Sequence, residues 1–233
     1  VILVPTKCYA QVRGSVIRVT RLDSCGIPDP GASAVVVSKR ISTVTVDEVT
    51  DEGTNIRERN FGDELCIVDD AFSQVIGYTA DIALCGVDPG LVSLLTGQPT
   101  VANAEGDIVG FDATSTVDLD SFGFSLEVWS RIAGSACDPS GFRPWGYTIM
   151  PFLKGGRLGG FSFENGAVQF TISGAQTRDG NGWGVGPFDV DRDEAGLASP
   201  LNTALGENAH YRNILVTLDP PAASCGAFAL ASA

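Results

Sequence analysis

The chain has 233 residues, 44% of them hydrophobic, and a formal net charge of −13. That length buries a core without help from metals or disulfides and suits a single all-β domain over 1–233. No run approaches the roughly eighteen uninterrupted apolar residues of a membrane-spanning helix, so no membrane insertion by this chain is expected. The acidic balance argues against groove binding of nucleic acid, which depends on basic side chains displacing counterions from phosphate.

The charge is unevenly placed. Val1–Asn60 holds eight Lys or Arg against seven Asp or Glu, whereas Phe61–Ala233 holds seven against twenty-one. The opening "VILVPTKCYA" is too short for a secretory apolar region plus cleavage site and reads as an N-terminal arm over residues 1–12. "SVIRVTRL" (15–22) and "ISTVTVDEVT" (41–50) alternate with period two, the second placing Val44 and Val46 on one face. "DEVTDEGTNIRERNFGDE" (47–64) is dense in charge and longer than a tight hairpin needs, which predicts a mixed-charge surface loop. Its Asp51, Glu52, Arg57, Glu58 and Arg59 are candidate contacts to another subunit.

"QVIGYTADIALC" (74–85) puts Ile76, Tyr78, Ala80, Ile82 and Leu84 on one face of a strand. "GVDPGLVSLLTGQP" predicts the one helix, with Asp88 as N-cap, Pro89 in the first turn, Gly97 closing the end and Pro99 beyond it. Two turns are marginal alone, so Leu91, Leu94 and Leu95 are expected to dock on a sheet. In "VDLDSFGFSLEVWSRI" the apolar parity shifts after Leu119, which predicts a bulge near Ser121–Gly123. "YTIMPFL" and a stretch from Val168 to Ser173 read as strands, and Asn165-Gly166 as a hairpin turn.

"DGNGWGVGPFDV" has glycine at every second position from Gly180 to Gly186. It lacks the first, third and sixth spacing of a dinucleotide loop, and no helix follows to meet an anion. Alternating glycines instead clear a row of side chains, so Gly180, Gly182, Gly184 and Gly186 predict a close-packed backbone passage anchored by Trp183, near an inter-strand or inter-subunit seam. Residues 190–210 lack strand periodicity and are expected to cross the surface before a last strand at His210–Leu218.

Chemistry-bearing patterns are sparse. His210, the one histidine, would have to serve any triad, and no G-x-S-x-G elbow exists. Asp69-Asp70, Asp118 with Asp120, and Asp189, Asp191 and Asp193 offer carboxylate pairs too abundant to single out. Asp189, Asp191, Asp193 and Glu194 resemble a calcium loop without its sixth-place glycine or twelfth-place glutamate. Cys8, Cys25, Cys66, Cys85, Cys137 and Cys225 include no C-x-x-C pair, and buried free thiols are expected, with Cys66 to Cys85 the alternative bridge. Trp129, Trp145 and Trp183 read as core or interface residues, with sugar stacking as the alternative. No catalytic residue, metal or cofactor is expected.

Taken in order, "RVTRLDSCGIPDPGAS", "ALCGVDPGLVSLLTGQP", "PFLKGGRLGGFSFENGAVQFTISG" and "DGNGWGVGPFDV" resemble the major tail proteins of long-tailed phages of actinobacteria. The resemblance runs from about Arg18 to Val190. It implies a mainly β protomer, a β-sandwich with one short helix at Asp88–Thr96, which assembles as hexameric rings whose inner strands close a barrel. Rings stack into the tube that conducts the genome at ejection, and the charged 47–64 segment packs between them. The implied partners are further copies of the chain, other tail proteins at the tube ends, and in the lumen the tape measure protein and then DNA, held non-specifically. The implied location is the virion tail, and the host bacterial cytoplasm during assembly. A tail-tip or capsid-decoration protein and a carbohydrate-binding module are the alternatives. An acidic wall that repels phosphate suits such a conduit.

Overall fold

The computed structural model describes residues 7–134, 137, 141–161, 165, 168–180 and 182–230. The elements in chain order are β1 (Gln11–Leu22), β2 (Gly31–Ser38), β3 (Ile41–Asp51), β4 (Ile56–Arg59), β5 (Leu65–Asp69), β6 (Gln74–Leu84) and α1 (Pro89–Thr96). They continue with β7 (Thr100–Ala102), β8 (Ile108–Phe111), β9 (Gly123–Ile132), β10 (Trp145–Lys154), β11 (Arg157–Leu158), β12 (Phe170–Thr177), β13 (Asp191–Arg192), β14 (Ala198–Ser199), β15 (Arg212–Val216) and β16 (Phe228–Leu230).

The protein is mainly β, built on one large antiparallel sheet with the path β16-β2-β1-β9-β10-β12-β6-β3. β10 holds the sheet together because it has different neighbours along its length. Trp145–Ile149 pair with β15 on one side, while Leu153 and Lys154 pair with β12. Its ladder to β9 breaks between Met150 and Leu153, at Pro151, which has no N–H to donate. Strand parity changes across the break, so Met150 and Leu153 enter one core while Ile149 and Phe152 enter the other.

The first core joins Ile17 and Val19 of β1, Val36 of β2, Phe124 and Leu126 of β9, Ala80, Ile82 and Leu84 of β6, and Ile172 of β12. Leu91, Leu94 and Leu95 of α1 dock into it as the helix pattern predicts. Asp88 Oδ1 accepts from the amides of Gly90 and Leu91, and its Oδ2 from Gly226 N. Gly97 ends the helix in the left-handed region (φ +70°) and returns its amide to Ser93 O.

The second core lies on the other face of β1, β9 and β10, where Val16, Trp129, Tyr147 and Ile149 meet Trp183, Val190, Leu201 and Leu205. The 190–210 segment is therefore no simple surface crossing. Val190, Leu201 and Leu205 are buried because they seal a sheet face that would otherwise be wet, while Leu197 stays exposed.

A charged pair lies under this cover. Arg18 and Glu127 are direct cross-strand partners, and Arg18 Nε and Nη2 each donate to a carboxylate oxygen at 2.5 Å. The guanidinium lies 3.7 Å from the Phe188 ring centroid. Tyr147 Oη donates to Glu127 Oε1 at 2.6 Å. Burial first, and then the neighbouring Glu127 charge, raise the Tyr147 pKa well above its ordinary value. The phenol thus stays a donor.

Several further expectations are corrected. The parity change after Leu119 marks a strand start, not a bulge: β9 begins at Gly123, and Ser121 N bonds Asp118 O in a turn before it. Asp47–Asp51 belong to the strand expected at 41–50 and not to the charged loop, and Ile56–Arg59 are strand as well, because cross-strand partners on β6 and β5 outweigh their charge. The N-terminal arm ends early, since Gln11 and Val12 already pair with Ile132 and Arg131; residues 1–6 lie outside the described part. The strand near His210 is β15, and it is not last, because β16 follows it along β2. The strand expected at Val168–Ser173 is β12 at Phe170–Thr177, and the turn at Asn165-Gly166 falls outside the described residues with Gly166.

Glu127→Gln leaves Arg18 charged and unpaired inside the protein and is expected to cost about 3 kcal/mol in urea unfolding. Tyr147→Phe removes one bond to a carboxylate and is expected to cost about 2 kcal/mol. A raised phenol pKa stabilises the fold below the unfolded value near 10 and loses that contribution as pH rises through the folded value, so Tyr147→Phe should also flatten the alkaline fall in stability.

Candidate assembly surface

The sheet ends at β3, an eleven-residue strand paired only with β6 among the described strands. Its inner half is anchored, with Ile41 and Val44 packed on the first core. Its outer half leaves the body with β6 as a two-stranded ribbon, and β4 and β5 extend that ribbon as a hairpin. Every residue from Thr50 to Ile76 is exposed.

The arm has its own local order. Asn60 Oδ1 accepts from Gly62 N and Glu64 N, and Asp63 closes the turn at φ +62°. Arg57 pairs with Asp70 at 2.8 Å, and Arg59 reaches Asp63 at 3.4 Å. The two arginines thus have partners within the arm. Both pairs are well exposed, so each contributes roughly 0–1 kcal/mol and is readily exchanged. Asp51 Oδ1 accepts from Gly53 N, while Glu52 and Glu58 face solvent.

The arm also carries apolar residues that the sequence analysis did not single out. Ile56, Leu65, Ile67, Val68, Val75 and Ile76 are about half exposed, Phe72 is 89% exposed and Phe61 fully so. None belongs to either core. The signal was present in "LCIVDDAFSQVI", read past because the charged residues before it dominate. A two-stranded ribbon with wet faces is marginal alone. Eight exposed large apolar side chains on one arm, outside both cores, make it the candidate contact surface.

The glycine run forms a seam within the chain. Gly180 N bonds Glu207 O, Leu205 N bonds Gly184 O and Leu201 N bonds Val185 O, so the run lies against residues 201–207. On its other side a Cβ at Gly182 would strike Ile27 in the turn between β1 and β2, where the backbone atoms Cα and N stand 3.3 Å away. Trp183 is 4% exposed, in the second core as expected of an anchor, and Gly186 stacks under its indole. Gly180, Gly184 and Gly186 take positive φ.

The remaining candidates lie apart. His210 Nδ1 meets Thr177 Oγ1 at 3.0 Å and its Nε2 lies 3.4 Å from Asp179, but Thr177 Oγ1 is buried and already accepts from Tyr78 N. Asp191 Oδ1 accepts from Thr217 beyond β15, and Asp193 Oδ1 accepts from the amides of Ala195 and Leu197 in its own turn, so both acids have structural partners. Among the described residues no group of three His, Cys, Asp or Glu converges as a metal site. The six cysteines are all unbridged and exposed, which corrects the expectation of buried thiols and of a Cys66 to Cys85 bridge; they sit on turns, edges and the arm rather than on core faces. Trp129 is buried beside Tyr147, and Trp145 donates to Asp219.

No protein-family model matches the chain, and a comparison with curated proteins finds no match. No helix among the described residues is long and apolar enough to cross a membrane.

Gly182→Val places a branched side chain against backbone and is expected to cost about 2–3 kcal/mol in thermal or urea unfolding. At Gly184 nothing lies within 4 Å of an added Cβ, so Gly184→Ala should show only the strain of positive φ, about 1 kcal/mol. Equal losses at both positions would mean that Gly182 is not in a tight passage.

Proposed function

We propose that this chain is the subunit of a hollow protein polymer, the tail tube of a long-tailed phage. In this reading the protomer is a β-sandwich whose two layers divide at β10. The β3 side joins neighbouring copies into a closed inner barrel within a hexameric ring, and rings stack through the arm. The observation that carries the reading is the exposed arm continuous with the open edge of β3. An exposed edge of this length is a template for another chain, and closing it into a barrel removes the edge altogether. The apolar residues of the arm need cover, and its weak exposed ion pairs are free to exchange for partners on another copy, where charge sets register more than affinity.

The net charge of −13 supports a conduit role. A negative wall repels phosphate across a narrow aqueous gap, so the tape measure protein and then DNA pass without sticking. Other tail proteins bind the two ends, assembly takes place in the host cytoplasm, and the product resides in the virion tail.

Negative-stain microscopy of the concentrated purified protein tests this directly, with long hollow tubes as the expected result. Uniform small rings would favour a tail-tip or decoration protein, and monomers that bind glycans a carbohydrate-binding module. Replacing residues 52–72 by a short glycine turn should leave a folded monomer with nearly unchanged melting temperature that no longer forms tubes. Tubes from that variant would remove the arm from the assembly.

A further inference from the structure

The β3, β6 and β12 part of the sheet has two unlike faces. Val44, Ala80, Ile82, Ile172 and Ala175 point into the first core or pack on it. The opposite positions are read from the pairing: Thr43 and Thr171 flank Ala83, Thr45 lies beside Asp81, and Asp47 and Gln176 flank Thr79. All of these are exposed or half-exposed, and none belongs to either core. The face is therefore a lattice of hydroxyls, one amide and two carboxylates, without a large apolar side chain in its three rows.

Cations are confined to its margin. Arg157 stands beyond β12, opposite Ser173, and Lys154, opposite Gln176, donates its ammonium to Asp120 O. The Asp81 carboxylate is turned into the sheet, where Oδ1 accepts from Gly174 N at the bulge of β12. By contrast, β1, β9 and β10 are covered on both faces, by the two cores. A sheet face meant for a protein partner carries apolar or aromatic anchors. This one carries none, although anchors of that kind crowd the adjoining arm.

We infer that this bare face of β3, β6 and β12 is the wall of the bore, in contact with water and the passing polyanion rather than with protein. The inference rests on the tube reading above. Short hydroxyl side chains keep the wall smooth and hydrated, and the carboxylates of Asp47 and Asp81 offer phosphate nothing to pair with. The wall and the arm then divide the work of one hairpin, β3 with β6: its inner half faces the cargo and its outer half binds neighbouring copies.

The test uses Thr43→Lys/Thr45→Lys, two exposed positions with no side-chain bond to lose, and the neutral control Thr43→Asn/Thr45→Asn. Assembled tubes of each are mixed at low salt with short linear duplex DNA or with closed circular plasmid, which cannot thread a bore, and then sedimented. The double lysine tubes are expected to retain linear duplex about tenfold more than wild-type tubes, to release it at high salt, and to retain plasmid no more than wild type does. Equal gains for plasmid would place the face on the outside and overturn the inference. Tubes that gain neither DNA, or a folded asparagine variant that fails to assemble, would place the face in a protein contact and overturn it as well. Wild-type protein that forms no tubes is a separate result, and it removes the tube reading itself.

Discussion

The buried pair of Arg18 and Glu127 sets the terms for the rest of the structure. Two charges side by side on β1 and β9 are tolerable under protein only with every strong donor and acceptor engaged. Tyr147 supplies the further bond to the carboxylate, and Phe188 covers the guanidinium. Phe188 belongs to the long irregular stretch between β12 and β15, so the pair needs that stretch in place. Trp183 and the glycine run fix its start, and Val190, Leu201 and Leu205 fix its middle.

The central strands are thus sealed on both sides, and whatever remains open must lie at the periphery. Among the described strands the sheet terminates in β16 on one side and β3 on the other. β16 is short, and the segment leading into it is tied to the helix cap through Gly226 and Asp88. β3 is long, uncovered on one face and continuous with an arm that contributes nothing to either core. Both cores reach β1, β9 and β10, whereas β3, β6 and β12 are covered on one face alone and the arm on neither. This asymmetry supports the polymer reading.

Much of this was legible in advance where a local rule acts alone. The helix is the clearest case: Asp88, Pro89, the leucine spacing and Gly97 each act within a few residues, and all four behave as read. The strands at Ile41 and Gln74 followed from alternation. The errors fell where a distant partner overrides the local pattern. Charge in Ile56–Arg59 suggested a loop, yet pairing with β5 makes a strand of it. The parity change after Leu119 suggested a bulge in β9, whereas the observed break is in β10 at Pro151, where two different neighbours meet. Arg18 and Glu127 drew no notice, because a lone charge in an alternating strand reads as a wet position until its opposite number is known.

What the sequence determined by itself was therefore the class of fold, the helix with its caps and the strong acidity. These depend on backbone geometry and composition, which act over short range. Tertiary structure alone decided which strand faces are buried, that the 190–210 segment is a cover, and that β3 with its arm is the open side. Those outcomes depend on which strand lies beside which, and a period-two pattern states that a strand has two faces without stating what stands against either.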